Sequence, residues 1–139
     1  MARAGCREVS LGFESGCDEI LRRFNKRFTT SDVRATSLLL KQYGIHQLGF
    51  LMLGGPGETR QTVMQSLEFM DSLNLEAMKI TAGIRIYPNT LIAKTAVQEG
   101  MVKAEDPLLM PTFYIREELK SWLLETIPTW AAARPNCFY

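Results

Sequence analysis

Three polar clusters hold the residues of this chain whose types and spacing could do chemistry. They are Glu14-Ser15-Gly16, then Gly54-Gly55-Pro56-Gly57-Glu58-Thr59, then Arg85 with Tyr87-Pro88-Asn89-Thr90. A carboxylate next to a hydroxyl suits the two hydroxyls of a ribose, since Glu14 can accept two hydrogen bonds and Ser15 can donate or accept. Glycines let a backbone come close to a flat ring or a small polar group, and a helix beginning near Thr59 offers free N–H groups. Arg85 can fork onto a carboxylate. Together the three clusters would recognise a ligand with sugar, ring and acid parts.

Plainer readings stand beside these. Glycines after a strand are often turn residues only. Glu14 could cap the next helix or pair with Arg22 or Lys26, Arg85 could be a solvated strand residue, and Tyr87 could simply pack. His46, the only histidine, falls at the start of a strand, away from the loops. Met52, Met64, Met70 and Met78 read as core filler. Two phosphate motifs are absent. Glu58 stands where a P-loop would need its lysine, and no Gly-x-Gly-x-x-Gly occurs in register.

These clusters need elements to position them, and the hydrophobic pattern supplies three strand–helix repeats roughly 35 residues apart. The first strand is Glu8 to Phe13, followed by a short helix with Ile20, Leu21 and Phe24 on one face. A second helix starts near Thr29-Thr30-Ser31-Asp32 and ends at Gly44. The second strand runs from about His46 to Leu53, and its helix carries Val63, Leu67, Met70 and Leu73. The third strand spans about Met78 to Ile86. Thr90 caps a helix closed by Gly100, a last helix covers about Ile115 to Ile127, and the tail with Pro128 and Pro135 reads as irregular. Such alternation predicts an α/β fold with a parallel sheet, and the apolar runs predict strands covered on both faces. All three clusters then lie on one edge of the sheet, at the carboxyl ends of the strands. Open α/β sheets and barrels keep their chemistry there.

Composition narrows the function classes. The chain has 139 residues, 46% hydrophobic and 22% charged, with a net charge of +1. That charge excludes a strong general field for nucleic acid or acidic membrane, although Arg22-Arg23 and Lys26-Arg27 form a local basic cluster. No apolar run approaches the roughly 18 residues of a membrane span, and no signal-type segment opens the sequence, so the expected location is cytoplasmic. Cys6, Cys17 and Cys137 are too widely spaced for a disulfide framework or a zinc or iron–sulfur site, and they read as reduced thiols. The sequence supplies no metal site.

The order Gly12-Phe13-Glu14-Ser15-Gly16, Leu21, Lys26, Thr29, Gly44-Ile45, Leu53 to Thr59, Ile86 to Thr90 and Gly100 resembles the radical SAM superfamily. More narrowly it is similar to the Elp3/MiaB/NifB-type core. The residues correspond to strands four to six of that family's six-stranded partial TIM barrel, with residues 1–116 the C-terminal half of the barrel and 117–139 a C-terminal helix and tail. Gly83 to Pro88, with Asp106-Pro107 and Pro111 to Tyr114, resembles the branch that often carries a cobalamin-binding domain. The resemblance implies S-adenosylmethionine as cofactor, cleaved reductively at a 4Fe–4S cluster for radical chemistry such as methyl transfer. It places Glu14 and Ser15 at the ribose. Leu53, Gly54, Gly55, Pro56, Gly57 and Glu58 fall on the strand-five loop near the adenine, with Glu58 mainly supporting that loop. Arg85 and Tyr87 fall at strand six, near adenine or substrate.

The departures carry equal weight. The family's Cys-x-x-x-Cys-x-x-Cys and its Gly-Gly-Glu element are absent, and Leu51 and Leu53 replace two residues of the strand-five motif. The chain is therefore expected to need a cluster-binding N-terminal half, in cis or in trans, and not to be a competent enzyme alone. Its small-molecule substrate is not named by any motif. The alternative is a non-catalytic adenosine-binding or partner module. An unrelated barrel aldolase or isomerase would need an acid–base pair or a Schiff-base lysine at a strand end, and Lys79 starts a strand instead.

Overall fold

In the computed structural model, which describes residues 1–139, the chain is α/β. Four parallel strands form one sheet, five helices accompany it, and a separate pair of short strands stands beyond its edge. The strands β1 (Glu8–Glu14), β2 (His46–Leu53), β3 (Ala77–Ala82) and β6 (Cys137–Phe138) lie side by side in that order. β4 (Ile84–Arg85) and β5 (Phe113–Tyr114) pair antiparallel. The helices are α1 (Asp18–Arg23), α2 (Thr30–Gln42), α3 (Arg60–Ser72), α4 (Leu91–Gln98) and α5 (Glu117–Ala132). None is long and apolar enough to cross a membrane.

Local chemistry fixes the helix starts. Thr29 accepts from the Asp32 amide while Asp32 accepts from the Thr29 amide, a capping box that opens α2. Thr59 and Thr62 do the same for α3, and Thr90 accepts from the Ala93 amide at α4. Such caps satisfy N–H groups that a helix leaves orphaned at its first turn.

Packing follows the two-residue period of a strand. Phe13, Leu51, Leu53, Met78 and Ile80 face the helices and meet Val33, Val63, Leu67, Met70, Leu119, Leu123 and Ile127 in one core. The alternate residues of β2, Leu48, Phe50 and Met52, are only half-buried, and Ser10, Gly12 and Lys79 are exposed. The expectation of strands covered on both faces is thus corrected: the core fills one face. At Gly16 a Cβ would lie 2.5 Å from the Phe69 Cβ and 2.8 Å from the Ser66 Cα, so only glycine lets α3 close against the end of β1.

Three boundaries differ from the sequence reading. The third strand stops at Ala82 because Gly83 turns to φ 88, and Ile84–Arg85 departs to pair with Phe113–Tyr114. α5 continues through Pro128 to Ala132. The tail is not irregular: Cys137–Phe138 pairs with Met78 and Lys79 along the outer edge of β3.

Candidate functional site

The carboxyl edge of the sheet begins with a strained turn. Glu14 has φ 70, a left-handed conformation uncommon for a residue with a Cβ. The Ser15 amide donates back to the Phe13 carbonyl at 2.9 Å, closing a three-residue turn centred on Glu14. A turn of that shape is rare and costs energy. The Glu14 side chain stays partly open, and Lys26 Nζ lies 3.5 Å from its Oε1 and 3.4 Å from the Gly12 carbonyl. A carboxylate and an ammonium thus share the end of β1. The pairing with Lys26 raised in the sequence is present, and the turn holds the carboxylate at the strand end.

Ser15 sits differently from expectation. Its side chain is fully buried, 3.0 Å from the Ser66 hydroxyl, and accepts from the Cys17 amide at 3.2 Å. Ser66 Oγ accepts from the Gly16 amide as well. The hydroxyl expected at a ribose is buried here and ties β1 to α3.

The glycine loop also turns its polar groups inward. Glu58 is 1% exposed, and its Oε2 accepts from the Gly54 amide at 2.6 Å and the Gly55 amide at 2.8 Å. Its Oε1 has no partner. Burial pushes the carboxyl up to about 7, against the opposing pull of the two amides. The Leu53 side chain lies in the core, and its carbonyl accepts from the Gly83 amide at 2.7 Å. Leu53, Gly54, Gly55 and Glu58 therefore build the loop, with the Gly54 and Gly55 N–H groups and Glu58 Oε2 already engaged. Pro56 and Gly57 are half-buried and form its outward part.

The space that glycine leaves free is filled by the protein. A Cβ at Gly55 would meet the Phe24 ring at 2.7 Å and Ile84 at 2.9 Å, and one at Gly57 would meet Arg23 at 2.7 Å. The end of α1 thus lies over the loop, bringing Arg23, Phe24 and Lys26 to the edge. The sequence reading placed none of them in the site. The basic cluster from Arg22 to Arg27 was the available signal.

Arg85 ends β4 of the short strand pair beyond β3, and Tyr87 follows two residues later. The Arg85 guanidinium stacks over the Tyr87 ring at 4.9 Å, and Arg85 is paired across the strands with Phe113. Both residues are exposed. Behind them Tyr114 is buried and donates to Glu99 Oε2 at 2.9 Å. Burial, with the Glu99 carboxylate, pushes that phenol up to about 12. No group of three His, Cys, Asp or Glu side chains could hold a metal ion, and the three cysteines are free and apart.

Known proteins extend this picture. The family model described as the radical SAM superfamily matches residues 1–70. An uncharacterized methyltransferase of Pyrococcus horikoshii is 28% identical over 102 residues, covering 73% of this chain and 22% of that protein. Among solved structures, the radical S-adenosylmethionine methyltransferase TsrM from Kitasatospora setae, with tryptophan substrate and a SAM analogue bound, superposes with TM-score 0.77. The match is 19% identical and covers 98% of this chain and 33% of that one. A second TsrM structure, with cobalamin and a 4Fe–4S cluster bound, matches at TM-score 0.64 and 25% identity over 70% of this chain and 18% of that one. Elp3 from the archaeon Methanocaldococcus infernus matches at TM-score 0.62 and 22% identity, covering 81% of this chain and 25% of that one. The chain spans about a fifth to a third of the length of these proteins.

Proposed function

This chain belongs to the radical SAM superfamily, and from that premise we propose that its carboxyl edge forms part of an S-adenosylmethionine site in an enzyme of methyl transfer. The observation that carries the reading is the strained turn at Glu14. A fold keeps a left-handed glutamate at a strand end where the surrounding structure compensates its cost, and such outliers gather at ligand clamps. Glu14 is assigned the ribose hydroxyls, accepting a hydrogen bond from each. Lys26, beside it, is assigned the carboxylate of the methionine part. Pro56 and Gly57 offer the outward backbone of the glycine loop to the adenine, while Gly54, Gly55 and Glu58 hold that loop in shape. Arg85 and Tyr87 are assigned to the substrate side of the edge.

S-adenosylmethionine, when bound and met by a reduced 4Fe–4S cluster, supplies radical or methyl-transfer chemistry. The residues of this chain do not fit such a cluster. Its thiols are scattered, and no group of potential metal ligands converges. The cluster is therefore assigned to a separate N-terminal half, joined in cis or in trans along the free side of β1. Methyl transfer is favoured by the names of the Pyrococcus relative and of TsrM, and cobalamin by the TsrM complex together with the resemblance of Gly83 to Pro88. The missing cluster ligands favour a second reading, an adenosine-binding or partner module without its own catalysis.

Calorimetry with S-adenosylmethionine and S-adenosylhomocysteine on the 139-residue chain tests the site. Binding of both, weakened at least about tenfold by Glu14→Gln, is expected, as for loss of a charged hydrogen-bond acceptor. Absence of binding by either compound would leave a partner module without a cofactor edge.

A further inference from the structure

The start of α5 breaks the rule that α2, α3 and α4 obey. Those helices are capped by threonine, whereas α1 and α5 have no side-chain cap bond, and α5 alone of the five places a cation, Arg116, at its N-cap. A cation is disfavoured at the positive end of a helix dipole, and arginine is not among the residues that cap. A local rule broken in a consistent fold points to another demand on the residue.

That demand is visible in what Arg116 touches. Its backbone amide donates to the Gly54 carbonyl at 2.9 Å, and its Nη1 donates to the Glu58 carbonyl at 3.1 Å. The guanidinium is steadied from the other side by Glu118, 3.2 Å away. Ile115 sits directly against Gly54: a Cβ there would meet the Ile115 Cγ2 at 3.0 Å. Residues 115 and 116 thus grip the loop at both ends, Gly54 and Glu58, although some 58 positions of chain separate Arg116 from Glu58. With Glu58 holding the Gly54 and Gly55 amides from within, the carbonyls at the loop's two ends are held from without. Pro56 and Gly57 are left as its outward span.

We infer that Arg116 is a positioning residue, holding the glycine loop in the form that presents Pro56 and Gly57 to the ligand. It acts through the loop. The inference rests on the cofactor reading of this edge, but the loop geometry can be tested without it.

The variants are Arg116→Ala and Arg116→Lys in the whole chain. Both keep the backbone N–H to Gly54. Alanine removes the guanidinium bond to Glu58, and lysine can restore one donor. Hydrogen exchange by NMR reads the loop, and calorimetry with S-adenosylhomocysteine reads the ligand. In Arg116→Ala, exchange at Gly54 and Gly55 is expected to rise about tenfold or more, as for loss of one charged hydrogen bond. Exchange at Leu51 and Ile80 should hold, affinity should fall in step with the loop, and Arg116→Lys should recover part of both. Unchanged exchange at Gly54 and Gly55 would overturn the inference. So would a loosened loop with full affinity, because the residue would then be structural only. So would equal loosening of Leu51 and Ile80, which would mark general destabilisation. Failure of the wild-type chain to bind S-adenosylhomocysteine would overturn the cofactor reading alone, and the loop exchange would still decide the role of Arg116.

Discussion

At the residue scale, Glu14 and Glu58 are two carboxylates with opposite tasks, separated by their surroundings. Glu14 sits in a left-handed turn with its carboxylate partly open. Glycine would accept that backbone without strain. Glu14→Gly is therefore expected to keep the melting temperature or raise it while abolishing cofactor binding. A fall in melting temperature with binding intact would make Glu14 a structural partner of Lys26. Glu58 is buried, with its carboxyl raised to about 7 from an ordinary 4.5. The folded chain then holds a proton that the unfolded chain has released between those two values. Stability should accordingly fall as pH rises from about 4.5 through 7, by an order of about 3 kcal/mol if the whole shift is realised. Glu58→Gln keeps an acceptor for both amides and removes the titration. Urea unfolding of this variant should show a flatter pH profile over that window, with stability at pH 8 equal to or above wild type. A wild-type profile that is flat from pH 5 to 8 would refute the burial effect. Neither role is written in residue type alone. The sequence offered Glu14-Ser15 as a pair for ribose, but the close approach of α3 at Gly16 turns Ser15 inward to Ser66. That is a tertiary contact with no local signature.

At the element scale, legibility followed length. β2 was readable to the residue, and the capping threonines marked α2 and α3, because long periodic segments and caps leave local patterns. The two-residue strands β4, β5 and β6 are too short to show a period, and their pairing comes from packing. β6 is pinned by contacts distant in sequence. Arg134 forks onto Asp71 at the end of α3 with Nε 2.7 Å from Oδ1, and its guanidinium stacks on Trp130 at 3.6 Å. Asn136 adds a bond to the Leu75 carbonyl at 2.9 Å. Both members of the ion pair are partly exposed, so Arg134→Ala is expected to cost only about 1 kcal/mol in chemical denaturation. It should free the strand all the same, and Cys137 should react with a thiol reagent several-fold faster than in wild type, while buried Cys17 stays inert. Equal acceleration at Cys17 would mean that the variant loosens the whole core.

At the scale of the whole molecule, the two sides of the sheet are unequal. The outer edge of β3 is covered in part by β6, whereas β1 pairs only with β2 and presents its other side along seven residues. The face away from the helices carries half-buried Leu48, Phe50 and Met52 in its middle strand. A long free edge beside apolar surface invites another strand, and a parallel sheet is normally covered on both faces. If a cluster-bearing half adds at this edge, the 139-residue chain alone should show it in two ways. Amides of β1 should exchange far faster than those of β2 and β3, and the chain should self-associate at micromolar concentration in sedimentation, because the edge finds a substitute partner. Adding a protein that bears the Cys-x-x-x-Cys-x-x-Cys half should protect the β1 amides and dissolve the self-association, since one edge cannot serve both. Substituting lysine for exposed Ser10 should weaken both associations, because edge charges oppose strand addition. A monomer whose β1 amides are protected as well as those of β2, and which is indifferent to the added half, would mean that this sheet is complete as it stands.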